Sequence, residues 1–89
     1  MSKINGTTKS GFKFEIDEDA LDNMEVLDYL AEADDGDSLA VPKLLNTILG
    51  KEQKKRLYNH LRTEKGNVPM KAVNDEVQEI FELCKAKNS

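Results

Sequence analysis

The spacing of the apolar residues changes once along this chain, and that change sets the fold class. Phe12, Phe14 and Ile16 alternate with charged residues, which is the period-two pattern of a half-buried strand. Ile4 begins a shorter partner strand, and the polar, glycine-containing residues 7–11 between them suit a hairpin loop. After Ile16 the apolar residues follow helical spacing. The sequence therefore predicts an α+β fold, mostly α, with an antiparallel β-hairpin at residues 3–16.

Four helices are expected to follow the hairpin and cover its apolar face, because a lone hairpin is only marginally stable in water. Gly50 separates the second helix from the third, Gly66 stops the third, and Pro69 suits the first position of the fourth. The chain of 89 residues is the length of one domain. The predicted helices span residues 19–33, 39–49, 51–64 and 69–85, and a flexible tail occupies 86–89.

The first predicted helix presents two different faces. At 100° per residue its apolar stripe faces away from the acidic side chains of Asp22 and Glu25. Val26 and Tyr29 fall on that acidic side, where they form either the apolar centre of a partner-binding surface or a site covered by the hairpin or another helix. The inner stripe consists of Ala20, Leu21, Met24, Leu27, Leu30 and Ala31.

The remaining helices have clearer core faces. The second follows the i, i+3, i+4, i+7, i+8 pattern from Val41 to Leu49, and the third offers Leu57, Tyr58 and Leu61. The fourth carries the longest stripe, spaced three or four residues apart throughout. That stripe consists of Met70, Val73, Val77, Ile80, Phe81 and Cys84.

Charge is distributed very unevenly. Eleven of the seventeen acidic residues lie in residues 15–37, and no Lys or Arg occurs between Lys13 and Lys43. The third helix is basic, and Lys54, Lys55 and Arg62 are candidates for a second partner contact, besides the surface on the first helix. Three interpretations remain open for it: a solvated helix face, a nucleic-acid face, or a surface that pairs with the acidic first helix within one molecule or between copies. The net charge of −4 disfavours nucleic-acid binding and leaves a homo-oligomer open.

The sequence contains no recognisable constellation for catalysis or metal binding. The single histidine, His60, has no orienting partner at any suggestive spacing, and Cys84 occupies an apolar stripe position. An EF-hand register that places Gly36 sixth puts alanines at the ligand positions. We therefore expect no enzyme activity, no cofactor and no metal site. The start of the chain shows no export signal, and no apolar run is long enough to span a membrane, which predicts a cytoplasmic protein without membrane contacts.

The order of the segments resembles a known family. SGFKFEID closes the strand pair, an acidic helix follows, VPKLLNTILG continues into KEQKKRLYNHLRTEKG, and VPMKAVNDEVQEIF forms the last helix. Together they resemble the small tail assembly chaperone proteins of long-tailed phages and prophages of Gram-positive bacteria. The resemblance implies virion morphogenesis in the bacterial host cytoplasm, with the tape measure protein and the tail tube protein as partners. Some members of the family also have a longer, frameshifted form.

Two other functions are compatible with the residues. A small acidic adaptor could inhibit a host or phage protein by presenting negative surface, and the acidic run suits that role. A small DNA-binding regulator would instead need the basic third helix exposed, and it would bind duplex DNA in a salt-dependent manner.

Overall fold

The chain folds as an α+β domain with an N-terminal β-hairpin followed by helices, as the sequence predicted. The computed structural model describes residues 2–88, with side chains for residues 2–86. Its elements are β1 (Lys3–Thr7), β2 (Lys13–Asp17), α1 (Glu18–Leu21), α2 (Met24–Asp34), α3 (Ala40–Leu61) and α4 (Met70–Asn88). The backbone of α4 therefore reaches into the predicted tail 86–89, of which Ser89 lies outside the described residues.

The hairpin supplies one wall of the core. β1 and β2 pair antiparallel with Ile4 opposite Ile16 and Gly6 opposite Phe14. Phe12, Phe14 and Ile16 are all buried, which confirms the period-two prediction. A Cβ placed on Gly6 would lie 2.5 Å from Cζ of Phe14, so the strand position opposite this ring has room for glycine alone.

Side chains from α3 hold the outer edge of β2. The Gln53 amide accepts from the backbone N–H of Glu15 at 2.9 Å and donates to the carbonyl of Glu15 at 2.7 Å. Arg56 donates to the carbonyl of Lys13 at 3.0 Å. These bonds occupy backbone groups that an edge strand would otherwise offer to another chain.

The prediction of one helix over residues 19–33 is wrong, because the chain forms two helices there. Asp17 caps the four-residue α1 by accepting from the N–H of Asp19. Asn23 then adopts an extended backbone conformation, and its side chain accepts from the N–H of Glu25 at 2.9 Å. An Asn side chain that caps a new helix competes with continuation of the previous one, so α2 begins at Met24 with its own rotational phase.

The new phase rotates the predicted faces of the acidic helix. Val26, expected on the acidic side, is 3% exposed and belongs to the core. Met24 and Leu27, expected in the inner stripe, are 67% and 55% exposed. The buried face of α2 instead follows Val26, Leu30 and Ala33 at helical spacing.

The predicted second and third helices are the two halves of α3. Gly50 has φ 80° and ψ 164°, a conformation open essentially to glycine, and it breaks the helix as the sequence indicated. The helix ends at Leu61 rather than at 64, because Arg62 is extended and a turn follows in which the N–H of Gly66 donates to the carbonyl of Thr63. Leu57 is fully buried, and Tyr58 and Leu61 pack against the core from half-buried positions.

The fourth helix carries its predicted stripe with one exception. Val73, Val77, Ile80 and Cys84 are buried, and Phe81 is half-buried against the core, as expected. Met70 is 76% exposed, since it is the first residue of α4 and extends past the end of the core.

Candidate functional site

The acidic-face residues singled out from sequence do not form an apolar centre. Val26 is buried, so the interpretation that another element covers it is the correct one. Tyr29 is half-buried and packs against the core. Asp22 and Glu25 are exposed near the junction of α1 and α2. A partner surface centred on Val26 is therefore wrong.

The basic candidates on α3 are partly engaged in the fold. Nζ of Lys54 lies 5.7 Å from the ring centroid of Tyr58. The Arg62 guanidinium donates to the carbonyl of Gly66 at 2.7 Å, whereas Lys55 is exposed. Arg56, in the same segment, lies 5.1 Å from the ring centroid of Phe12. Of the three predicted residues, Lys55 therefore faces solvent, whereas Lys54 and Arg62 also contact other parts of the fold.

The acidic helix and the basic helix are not joined by ion pairs. Within the part of the chain that has described side chains, the ion pairs are Lys3 with Glu15 at 4.0 Å and Lys71 with Asp75 at 2.9 Å. Neither pair connects α2 with α3. The described ion pairs therefore give the intramolecular form of the pairing hypothesis no support, and its intermolecular form stays a prediction.

A long groove lies elsewhere, between α4 on one side and α2 with the start of α3 on the other. Three depressions of about 230, 550 and 300 Å³ follow one another along α4. The first two share Leu30 and Phe81, and the second and third share Val41 and Asn74. We call the whole feature the groove. Its principal apolar lining residues are Leu27, Leu30, Val41, Val77, Phe81 and Met70.

The groove exists because α2 and α4 each pack mainly against other elements. α2 lies mainly on α3, whereas α4 packs on α3 and β1, so the facing flanks of α2 and α4 pack only weakly on each other. The exposed large apolar side chains of the described residues are Met24, Leu27, Leu39 and Met70. The last three line the groove. Clustering of exposed apolar side chains beside a concave surface is typical of binding sites.

Four aspartates lie on α2 and in the loop that follows it, and one of them lines the groove. Asp34 lines the central depression, whereas Asp28 lies on the exposed side of α2 that faces away from the groove, and Asp35 follows the last residue of α2. Asp37 follows in the loop, where its side chain also accepts from the N–H of Leu39 at 3.1 Å. We call Asp28, Asp34, Asp35 and Asp37 the acidic margin. None of the four forms an ion pair with a described side chain.

The margin formed by α4 is mixed in charge. Lys71 pairs with Asp75, and Lys85 lines the first depression. Asn74 and Gln78 line the centre with neutral amides. The two long sides of the groove therefore differ in electrostatic character, and a ligand would experience negative potential mainly from α2 and its following loop.

Burial perturbs one ionisable group near the groove. Tyr58 lines the depression that also includes Met70, and its burial raises the pKa of the phenol above the ordinary value of 10.0. Desolvation disfavours the charged phenolate, which accounts for the direction of the shift.

A polar cluster at the hairpin turn contains a serine, a histidine and a glutamate, residue types used in hydrolases. Oε1 of the buried Glu76 accepts from Thr8 Oγ1 at 2.8 Å and from Ser10 Oγ at 3.1 Å. Nε2 of His60 lies 3.0 Å from the carbonyl oxygen of Ser10. A carbonyl only accepts, so the tautomer that makes this bond carries its proton on Nε2 and cannot take one from the Ser10 hydroxyl 3.1 Å away.

The cluster therefore fastens the hairpin to α3 and α4. Sequence reasoning missed it because its members are separated by up to 68 positions along the chain. Among the described residues, no group of three or more His, Cys, Asp or Glu side chains is arranged to hold a metal ion.

Comparisons with known proteins give no indication of function, so the groove is the main structural one. No protein-family model, curated protein or solved structure matches the chain. None of the helices among residues 2–88 has the length and apolar character needed to cross a membrane.

Proposed function

We propose that this protein is a non-catalytic phage tail assembly chaperone that holds a helical segment of the tape measure protein in the groove. The observation that carries the proposal is the row of depressions along α4, lined by apolar side chains that stay exposed in a chain with 34% charged residues. The resemblance to tail assembly chaperones supplies the partner. The proposal places the protein in the cytoplasm of the bacterial host, where it assists assembly of the tail tube protein.

The groove supports a chaperone role through its shape and its surroundings. An open groove gives apolar contact to an amphipathic helix without enclosing it, so the helix can leave again. The acidic margin keeps net charge on the complex, and charge opposes aggregation of a long apolar partner. Reversible apolar contact together with solubilising charge is what a chaperone for an aggregation-prone helix needs.

Co-expression with the tape measure protein of the same phage or prophage tests the proposal. We expect a soluble complex on size-exclusion chromatography, and an insoluble tape measure protein when this chain is omitted. Leu27→Gln together with Met70→Gln should abolish the complex, because both side chains line the groove and are exposed. Lys55→Gln, on the exposed face of α3, serves as the matched control and should leave the complex intact.

An insoluble tape measure protein in the presence of this chain, with this chain eluting alone, would contradict the chaperone function. A complex that survives the double groove substitution would place the contact outside the groove.

The second candidate is a small acidic adaptor that inhibits a host or phage protein, and the acids without ion pairs favour it. Such an adaptor would depend on the acidic margin but not on Leu27 or Met70. Asp28→Asn with Asp35→Asn should then remove binding to the target, whereas the double groove substitution should preserve it. A DNA-binding regulator is less well supported, because Arg56 and Arg62 already bond to backbone carbonyls of the fold.

A further inference from the structure

We propose that Asn5 is a site of spontaneous covalent modification, in which its side chain loses ammonia by closing a succinimide ring with Gly6, and that the pairing of β1 with β2 controls the rate. The proposal concerns the hairpin and does not depend on the proposed function. Among the asparagines of the chain, Asn5 alone is followed by glycine. A side chain on the following residue hinders ring closure at the others, which are Asn23, Asn46, Asn59, Asn67, Asn74 and Asn88.

The reaction uses the chain's own backbone and water. The backbone nitrogen of Gly6 loses its proton to hydroxide and attacks Cγ of Asn5. The bond from this nitrogen to Cγ forms, the bond from Cγ to Nδ2 breaks, and Nδ2 takes a proton from water and leaves as ammonia, which regenerates the hydroxide. Water then opens the ring at one of its carbonyls. Opening at Cγ gives an aspartate, and opening at the main-chain carbonyl gives an isoaspartate whose main chain runs through Cγ.

The register of the hairpin places the attacking nitrogen in the backbone ladder. Gln53 bonds to both the N–H and the carbonyl of Glu15, so these groups point away from β1. Glu15 and the opposite Asn5 are therefore a pair without mutual backbone hydrogen bonds. Such pairs alternate with hydrogen-bonded pairs in an antiparallel ladder, so the next pair, Gly6 with Phe14, exchanges both bonds. The Gly6 N–H is thus engaged with β2 while the hairpin is formed.

Ring closure also requires a conformation that the strand does not allow. In an extended strand ψ is about +135°, and the Gly6 nitrogen reaches Cγ of Asn5 only after ψ of Asn5 rotates out of this range. The rotation would separate Gly6 from Phe14. Modification therefore proceeds from molecules in which β1 has opened, and its rate is proportional to the opened fraction. The Phe14 ring in turn leaves no room for a larger residue that would slow the reaction at position 6.

Either product should loosen the hairpin. Asn5 and Glu15 are both exposed and lie opposite each other, so an aspartate would place a second carboxylate across from Glu15. Like charges directly opposite each other destabilise a strand pair. An isoaspartate adds a main-chain carbon before Gly6 and displaces it from its place opposite Phe14, where the ring has room for glycine alone.

Mass spectrometry of the tryptic peptide of residues 4–9 measures the modification. Conversion of the amide to a carboxyl group raises the mass of this peptide, and chromatography separates its aspartate and isoaspartate forms. The full chain is incubated in mildly alkaline buffer, with and without enough guanidinium chloride to unfold it. We expect conversion of Asn5 to be at least about tenfold slower in the folded chain. Asn67, which precedes valine, is the internal control and should stay unmodified in both samples.

Variants of the full chain test control by strand pairing. Phe14→Leu should raise the rate of conversion in native buffer by about threefold or more, because it loosens the packing around Gly6, and should leave the rate in denaturant unchanged. Gln53→Ala, which removes the bonds to Glu15, provides a second variant should Phe14→Leu fail to fold. Lys55→Gln, on the exposed face of α3, is the control and should change neither rate.

A separate pair of variants tests the effect of the aspartate product. Asn5→Asp should melt at a lower temperature than Asn5→Ser. Both variants remove the amide, so the difference between them reports the charge opposite Glu15. NaCl should reduce this difference, because it screens repulsion between exposed carboxylates.

Three results would overturn parts of the proposal. Equal rates in the folded and unfolded chain, or no acceleration in a folded hairpin variant, would rule out control by strand pairing. An Asn5 that stays unmodified in denaturant would rule out the site itself. An Asn5→Asp variant that melts no lower than Asn5→Ser would show that the aspartate product leaves the hairpin intact.

Discussion

Substitution of two neighbouring residues on α2 tests the rotational phase of the acidic helix directly. Val26 is 3% exposed and Leu27 is 55% exposed, whereas the sequence pattern indicated the opposite order. We expect Val26→Ala to destabilise the protein more than Leu27→Ala, even though alanine removes more atoms from leucine. The comparison is internally matched, because both changes introduce the same residue into the same helix.

The magnitudes follow from burial. Val26→Ala removes two buried carbons, which at about 0.8 kcal/mol each gives about 1.6 kcal/mol. A cavity in the core adds about 1 kcal/mol, and the better helix propensity of alanine offsets about 0.5 kcal/mol, leaving about 2 kcal/mol. Leu27 borders an open groove, so its removal leaves no closed cavity and should cost about 1 kcal/mol or less.

Urea denaturation followed by far-UV circular dichroism measures both changes in the free energy of unfolding. For a domain of this size, the Val26→Ala variant should melt about 8–16 °C below the parent protein. The m-value should stay unchanged, because both variants unfold the same surface. A Leu27→Ala variant that loses as much stability as Val26→Ala would refute the assigned phase of α2, and with it the placement of Leu27 in the groove.

Three further substitutions test individual features of the fold. Gly6→Ala should cost about 1–3 kcal/mol in urea denaturation, because its Cβ would collide with the buried Phe14 ring. Gly50→Ala should cost about 1–3 kcal/mol in the same assay, because φ 80° strains an L-residue. Burial raises the pKa of Tyr58, so folding favours the protonated phenol, and the free energy of unfolding should fall above about pH 10. In the Tyr58→Phe variant it should fall less steeply between about pH 9 and 11.

The hairpin and α4 could be predicted from sequence because their patterns extend over several residues and agree with local propensity. Phe12, Phe14 and Ile16 leave one register for β2, since a slip by one residue would expose all three. The stripe from Val73 to Cys84 likewise leaves one buried face for α4.

The rotational phase of α2, which decides the face that is buried, could not be predicted in the same way. Met24 and Leu27 are at least as apolar as Val26, so composition alone favours the wrong face. The signal that decides the phase is Asn23, whose side chain starts a new helix instead of continuing the old one. An Asn directly before the apolar residues of α2 was available in the sequence, and it could have indicated the break.

The groove lay beyond sequence reasoning for a different reason. Its lining combines residues from α2, the loop that follows, the start of α3 and α4, and no spacing rule relates Leu27 to Phe81. A gap between two helices depends on how each packs on a third element, here α3. Residues such as Leu27 and Met70 look like core positions until that packing is known.

The salt dependence of the melting temperature distinguishes two explanations for the acidic residues of α2, which either attract the basic half of α3 or repel one another. If α2 were paired with the basic half of α3 inside the molecule, added salt would screen attraction and lower the melting temperature. The described side chains of α2 instead have no cationic partners, so salt should mainly screen repulsion among the acids.

Raising NaCl from about 0.02 to about 0.3 M shortens the screening length to below about 10 Å. We therefore expect the melting temperature to rise by a few degrees, measured by scanning calorimetry at constant pH. Asp28→Asn with Asp35→Asn should reduce the rise, because it removes two of the repelling charges, and Lys55→Gln should not. A melting temperature that falls with NaCl would show that attraction dominates, and the acidic side chains of α2 would then already be neutralised within the fold.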